Sequence, residues 1–256
     1  MTMTRRKVVL LIVEGSCEEV LLNNRLRALF EQHNIRFHIQ HGDILYDLSK
    51  PDEPIKSVIG NAVKEFMLKS KFRAEDVFCV LHIIDMDGCF IPDEAIVIDK
   101  TQKELTIYHG DKITVPHDKQ KRQIAARNAE RSNNINIMKG LETILSGEIN
   151  YRMYYFSRNL EHVLFNEANP EKGAKYPEVE QFIEQLKMPI ETYLQQSMPS
   201  LTGEDPYVES WALMSQETAS LEPYSNVPLL FEFVEMASEG DRFWRMARER
   251  PPYLCR

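Results

Sequence analysis

Val8-Val9-Leu10-Leu11-Ile12-Val13-Glu14-Gly15-Ser16-Cys17-Glu18-Glu19 decides the fold. The first six residues are apolar without interruption and rich in β-branched side chains. A half-exposed strand alternates, so an unbroken run predicts a strand buried on both faces, in the middle of a parallel sheet. Glu14 and Gly15 end it. From Cys17 to about Asn34 the spacing is helical, with Val20, Leu21, Leu22, Leu26, Leu29 and Phe30 forming much of the apolar surface. Arg5, Arg6 and Lys7 stand before the run as in a signal peptide. Glu14 cuts it short of the roughly 7–15 apolar residues such a segment needs, so the expectation is a core strand of a cytoplasmic protein.

Outward from this stretch the rhythm continues. Ile35–Ile39 predicts a second strand, residues 41–53 a loop, and Glu53-Pro54 the entry to a helix running to about Ser70. Val77–Ile84 is a third strand, apolar except for His82, which reads as a core histidine. The β-α-β-α-β alternation predicts an α/β fold, a Rossmann-like parallel sheet with flanking helices. Ala95–Ile98, Leu105–Tyr108 and Lys112–Val115 break the rhythm as short strand-like runs, read as an antiparallel β-hairpin insertion over about residues 91–116. A helix is expected over about 117–147 and a further core strand over Tyr151–Phe156. The chain thus divides into an α/β unit, residues 1–160, and a helical C-terminal region, residues 161–256, punctuated by Pro170, Pro177, Pro189, Pro206 and Pro223.

Charge follows the same division. The 256 residues carry a net charge of −8, and residues 160–240 hold 15 acidic side chains against Lys172, Lys175 and Lys187. The tail Asp241–Arg256 reverses this with five arginines, among which stand Phe243, Trp244 and Tyr253. It suits either single-stranded nucleic acid or docking onto the chain's own acidic helices, the simpler reading. An acidic total excludes a nonspecific, charge-driven nucleic-acid binder, though not an enzyme that grips nucleic acid locally through metal ions. Four scattered cysteines without a CxxC pair read as reduced thiols rather than a zinc site. No apolar run approaches the roughly 18 residues of a membrane span, so no membrane partner is expected. No GxxxxGK[ST] or GxGxxG occurs.

Two strand ends carry chemistry. The first runs into Glu14 and Glu18, four apart and able to face one point if a helix begins near Gly15; the third runs into Asp85-Met86-Asp87-Gly88. In open α/β sheets the loops after the carboxyl ends of strands form the ligand crevice. Four carboxylates meeting there repel one another unless a cation neutralises them, and hard oxygen ligands select Mg²⁺ or Mn²⁺. The simpler alternative has these acids only capping helices and solvating loops. Ser157-Arg158-Asn159-Leu160-Glu161-His162 follows another strand end, so Arg158, Glu161 and His162 can reach the crevice edge, Arg158 to neutralise a phosphate and His162 to assist proton transfer. In the structural reading Asn159 is a helix N-cap and Glu161 favours the dipole. Lys119, Lys121, Arg122, Arg127 and Arg131 form a basic helical run, read as a solvated face in preference to a phosphate-tracking surface.

On Val13-Glu14-Gly15 and Asp85-Met86-Asp87, at the ends of apolar strands some tens of residues apart, the chain resembles the Toprim family, over roughly residues 7–160. This catalytic domain is shared by topoisomerases, primases, small RNA-maturing nucleases and the overcoming-lysogenization-defect nucleases; the nuclease branches carry a second acid where Glu18 stands. The resemblance implies a Toprim-like catalytic domain over 1–160 with Glu14 as general acid/base or metal ligand and Asp85 and Asp87 as metal ligands. Glu18 would complete a second metal position; Arg158, read from its strand end, joins Glu14, Asp85 and Asp87 as a candidate catalytic residue. The resemblance further implies Mg²⁺ or Mn²⁺ as cofactor, DNA or RNA as substrate and a role in anti-phage defence or RNA processing; a homo-oligomer or an activating partner protein is a separate expectation. Leu81–Gly88 is also similar to the first motif of haloacid-dehalogenase phosphatases, with Asp85 as nucleophile and Asp87 as acid/base. Two βα units precede it, Cys89 follows Gly88 and the late acidic pair is missing. A non-catalytic, metal-dependent binding module is the third alternative.

Overall fold

Val8–Val13 forms strand β1 with all six side chains buried. In this computed structural model, residues 7–30, 34–39, 44–46, 53–170 and 175–238 are described. Helix α1 (Ser16–Leu29) leads to β2 (Asn34–Ile39), α2 (Ile55–Ser70) and β3 (Val77–Asp85). Three short strands, β4 (Ile96–Ile98), β5 (Ile107–Tyr108) and β6 (Ile113–Val115), precede α3 (Asp118–Met138). The hairpin of β7 (Thr143–Ile144) and β8 (Ile149–Phe156) closes the central sheet. Helices α4 (Leu160–Phe165), α5 (Lys175–Gln185), α6 (Ile190–Leu194), α7 (Pro206–Met214) and α8 (Pro228–Ser238) follow.

The central sheet runs β2-β1-β3-β8-β7; its first four strands are parallel and β7 is antiparallel to β8. The arrangement is mixed α/β, compatible with a Rossmann-like fold. Burial explains why β1 is continuously apolar. Val9, Leu11 and Val13 face one core with Leu22 and Leu26 of α1 and Leu230 and Val234 of α8. Leu10 and Ile12 face the other, with Ile59 and Val63 of α2, Ile135 of α3 and Trp211 of α7. Side chains alternate across a strand, so a strand covered on both faces has no polar positions to offer. His82 is fully buried; its Nδ1 lies 2.8 Å from the Tyr151 hydroxyl in a hydrogen bond, and burial lowers its pKa to about 3.

Two elements differ from the sequence reading. The insertion is a three-stranded sheet ordered β4-β6-β5: β5 and β6 form the antiparallel hairpin, while β4 lies parallel to β6. It packs through Ile96, Tyr108, Ile113 and Val115 onto Ile124 and Leu221. The helix expected to reach residue 147 stops at Met138 because Thr143 and Ile144 pair with Asn150 and Ile149. Leu145, Ser146 and Gly147 all take positive φ in the turn between them. Cys17, Cys79 and Cys89 are free thiols, and the basic tail lies outside the described residues. Among the described residues no helix is long and apolar enough to cross a membrane.

Candidate functional site

Strands β1, β3 and β8 are neighbours in the sheet, so their carboxyl ends open onto one edge. Glu14, one residue past β1, turns toward β3, and its Oε1 accepts a hydrogen bond from the Asp85 backbone N–H at 3.2 Å. Glu18 sits in the first turn of α1 and folds back, Oε2 accepting from the Gly15 N–H at 3.0 Å. It is buried despite its charge. The chain then continues β3 along β8 through three backbone bonds, Met86 N–H to Phe156 O, Asp87 N–H to Arg158 O and Gly88 N–H to Ser157 O. Asp87 and Gly88 both take left-handed φ, 51° and 63°. A Cβ on Gly88 would come 2.5 Å from Leu221 Cδ2, so glycine is required where the loop passes the 220s segment.

Asp85 feels both burial and its neighbours. The Asp85 carboxyl is pushed well above its ordinary value, first by burial and then by Glu14, Glu18, Asp87 and Glu161. Its Oδ1 is shut off from solvent and accepts no hydrogen bond. Glu161, in the first turn of α4 and buried, therefore belongs to the same field as the four acids singled out from sequence. Asn159 is the N-cap of α4, its Oδ1 accepting from the His162 N–H at 2.9 Å, as the structural reading expects. Burial and the neighbouring Arg158 lower the His162 pKa to about 4, which leaves a neutral imidazole at pH 7.

Three guanidinium groups lie against these acids. Arg158 Nη1 donates to Asp87 Oδ1 at 2.6 Å. Arg131, 1% exposed, lies 3.5 Å from Glu14 Oε1 and 3.8 Å from Asp87 Oδ2, and also donates to the Asp85 carbonyl. Arg127 Nη2 donates to the Asp87 carbonyl at 3.2 Å. The sequence reading of α3 as a solvated basic face fits Lys119 and Arg122, which are exposed, but not Arg127 and Arg131, which turn inward. The signal that could have found them is their register: they share a helical stripe with Ile124, Ile135 and Met138. Arg131 meets Glu14 and Asp87, and Arg127 meets the Tyr108 hydroxyl and the Asp87 carbonyl.

The structure thus brings together Glu14, Asp85, Asp87 and Arg158 by direct contacts, and Glu18 and Glu161 through their charge on Asp85. Among the described residues, no three His, Cys, Asp or Glu side chains are gathered at metal-ligand geometry, and arginines lie against Glu14 and Asp87. The donor chemistry nevertheless fits a hard divalent cation. All the acids are oxygen ligands, and one buried oxygen, Asp85 Oδ1, has no hydrogen-bond partner. Comparison with protein-family models, with curated proteins and with solved structures finds no match.

Proposed function

We propose that the protein is a Mg²⁺- or Mn²⁺-dependent nuclease of Toprim type, hydrolysing phosphodiester bonds of DNA or RNA. The observation that carries this reading is the bond from the Asp85 N–H to Glu14 Oε1, which sets the acid ending β1 beside the acids ending β3. Glu14, Glu18, Asp85 and Asp87 are the residues that would hold the cation, with Glu161 adding charge to the same field. When bound, such a cation supplies an activated water and neutralises charge on the reacting phosphate. Glu14 reaches the Asp85 backbone from the strand end, so it can also hold or release a proton at the crevice. Arg158, buried and bonded to Asp87, would offer its guanidinium to a phosphate oxygen.

Incubation of the purified protein with plasmid DNA, transfer RNA and p-nitrophenyl phosphate tests the reading, each with Mg²⁺, Mn²⁺ or EDTA. Metal-dependent cleavage of either nucleic acid supports it. Release of nitrophenol alone assigns Asp85 the role of phosphatase nucleophile instead, and no turnover with any substrate leaves a binding module.

A further inference from the structure

Tyr108, on β5 of the small sheet, is the meeting point of two of the three arginines. The Arg158 guanidinium carbon stands 3.3 Å from the centre of the Tyr108 ring, a cation–π contact. The Tyr108 hydroxyl accepts from Arg127 Nη1 at 3.1 Å. The platform is pinned: the Tyr108 N–H donates to Asn169 Oδ1, and Asn169 Nδ2 donates to the Tyr108 carbonyl, both at 2.8 Å. A tyrosine fixed by both backbone groups holds two guanidinium groups at the rim of an acidic crevice.

Arg158 uses little of what it has. A guanidinium carries five N–H donors, and Arg158 spends Nη1 on Asp87 while its buried Nε has no hydrogen-bond partner. Arg131, by contrast, reaches Glu14, the Asp85 carbonyl and Asp87 together and acts as a fixed counter-charge. The planar fork of arginine matches phosphate oxygens two at a time.

We infer that Arg158, seated on Tyr108 beside Arg127, is a phosphate clamp latched onto Asp87 that passes to a substrate phosphate when a divalent cation takes that carboxylate. This rests on the nuclease reading above. Arg158 Nη1 occupies Asp87 Oδ1, so a cation that binds that oxygen competes with the guanidinium and weakens the latch. Once the carboxylate is neutralised, the guanidinium stays on its tyrosine platform and needs a new anion. The phosphodiester supplies one. Cation and nucleic acid therefore strengthen each other's binding by the same factor, as linkage requires. Substrate grip then appears only at a crevice already loaded for chemistry.

The test measures two affinities separately, neither by turnover. Mn²⁺ binding is followed by loss of the free-Mn²⁺ electron paramagnetic resonance signal. Binding of a fluorescent single-stranded DNA and its RNA counterpart is followed by anisotropy, with Ca²⁺ or with EDTA. In the wild type, Ca²⁺ tightens binding of one oligonucleotide on the order of tenfold. Arg158→Gln moves the two affinities in opposite directions: Mn²⁺ binds more tightly, because Asp87 Oδ1 loses its guanidinium partner while Arg131 stays at Oδ2, and the oligonucleotide binds more weakly with its Ca²⁺ dependence gone. Tyr108→Leu keeps every charge and also loses the Ca²⁺ dependence, which carries the test if Arg158→Gln does not fold. Arg122→Gln, an equal loss of charge on the exposed part of α3, leaves the Ca²⁺ dependence unchanged. If the wild type binds Mn²⁺ and oligonucleotide but Tyr108→Leu and Arg158→Gln retain the coupling, the clamp is wrong and the nuclease reading stands. If the wild type does not bind Mn²⁺, both fall.

Discussion

At the scale of single residues, Glu14 and Gly88 separate chemistry from architecture. Glu14→Gln keeps the shape and the acceptor that meets the Asp85 N–H, but removes the charge. Cleavage is expected to fall about 10²-fold or more, the weight of a positioned acid or base, with folding intact by circular dichroism. A folded variant of near wild-type activity contradicts the role. Gly88→Ala acts the other way: it places a Cβ 2.5 Å from Leu221 at a φ of 63°. Urea unfolding should show a loss of about 1–3 kcal/mol; an unchanged midpoint would mean that the segment around Leu221 yields freely. The acids were legible because each follows an apolar strand, where a charge has no packing reason to be. Arg127 and Arg131 were not, since a run of bases on a helix is ordinarily solvated, and their partners lie elsewhere in the chain: Glu14 and Asp87 for Arg131, the Tyr108 hydroxyl and the Asp87 carbonyl for Arg127.

At the scale of elements, β3 carries a titratable group through the middle of the sheet. His82 is neutral in the folded protein, with its pKa lowered by burial from 6.5 to about 3. The unfolded chain binds a proton there as pH falls below about 6.5 while the folded chain does not, so stability is full above that pH and is lost on acidification toward 3. The slope contributed is about 1.4 kcal/mol per pH unit inside the window. His82→Leu leaves the Tyr151 hydroxyl without its partner and is less stable at pH 7 by roughly 1–3 kcal/mol. Its stability should nevertheless fall less steeply than the wild type's between pH 6.5 and pH 4. Parallel urea-derived curves would remove His82 from the acid limb. The element boundaries teach a related lesson. Continuous apolarity marks β1 and β3 because both faces are covered. The two-residue β7 has too few side chains for a period to show, and its pairing is set by the turn at Leu145, Ser146 and Gly147. Likewise the parallel partnering of β4 with β6 depends on where the chain returns over α3, which local spacing does not encode.

At the scale of the whole molecule, the sheet gathers charges from distant parts of the chain: Glu14 and Glu18 from the start, Asp85 and Asp87 at the end of β3, and Glu161 after β8. Arg127, Arg131 and Arg158 lie against this cluster. Helices from the acidic C-terminal region complete both cores, through Leu230 and Val234 on one face and Trp211 and Met214 on the other. Loading the crevice with a cation should therefore stabilise one cooperative body, since the unfolded chain offers no converged site. At one hundred times the dissociation constant the gain is about 2.7 kcal/mol, which corresponds to a rise in Tm of roughly 5–10 °C for a chain of this size. Thermal unfolding of the full chain across a Mn²⁺ titration measures this directly. The account predicts a saturating rise in Tm that is lost in Asp85→Asn; a wild-type Tm that stays constant up to millimolar Mn²⁺ would contradict it.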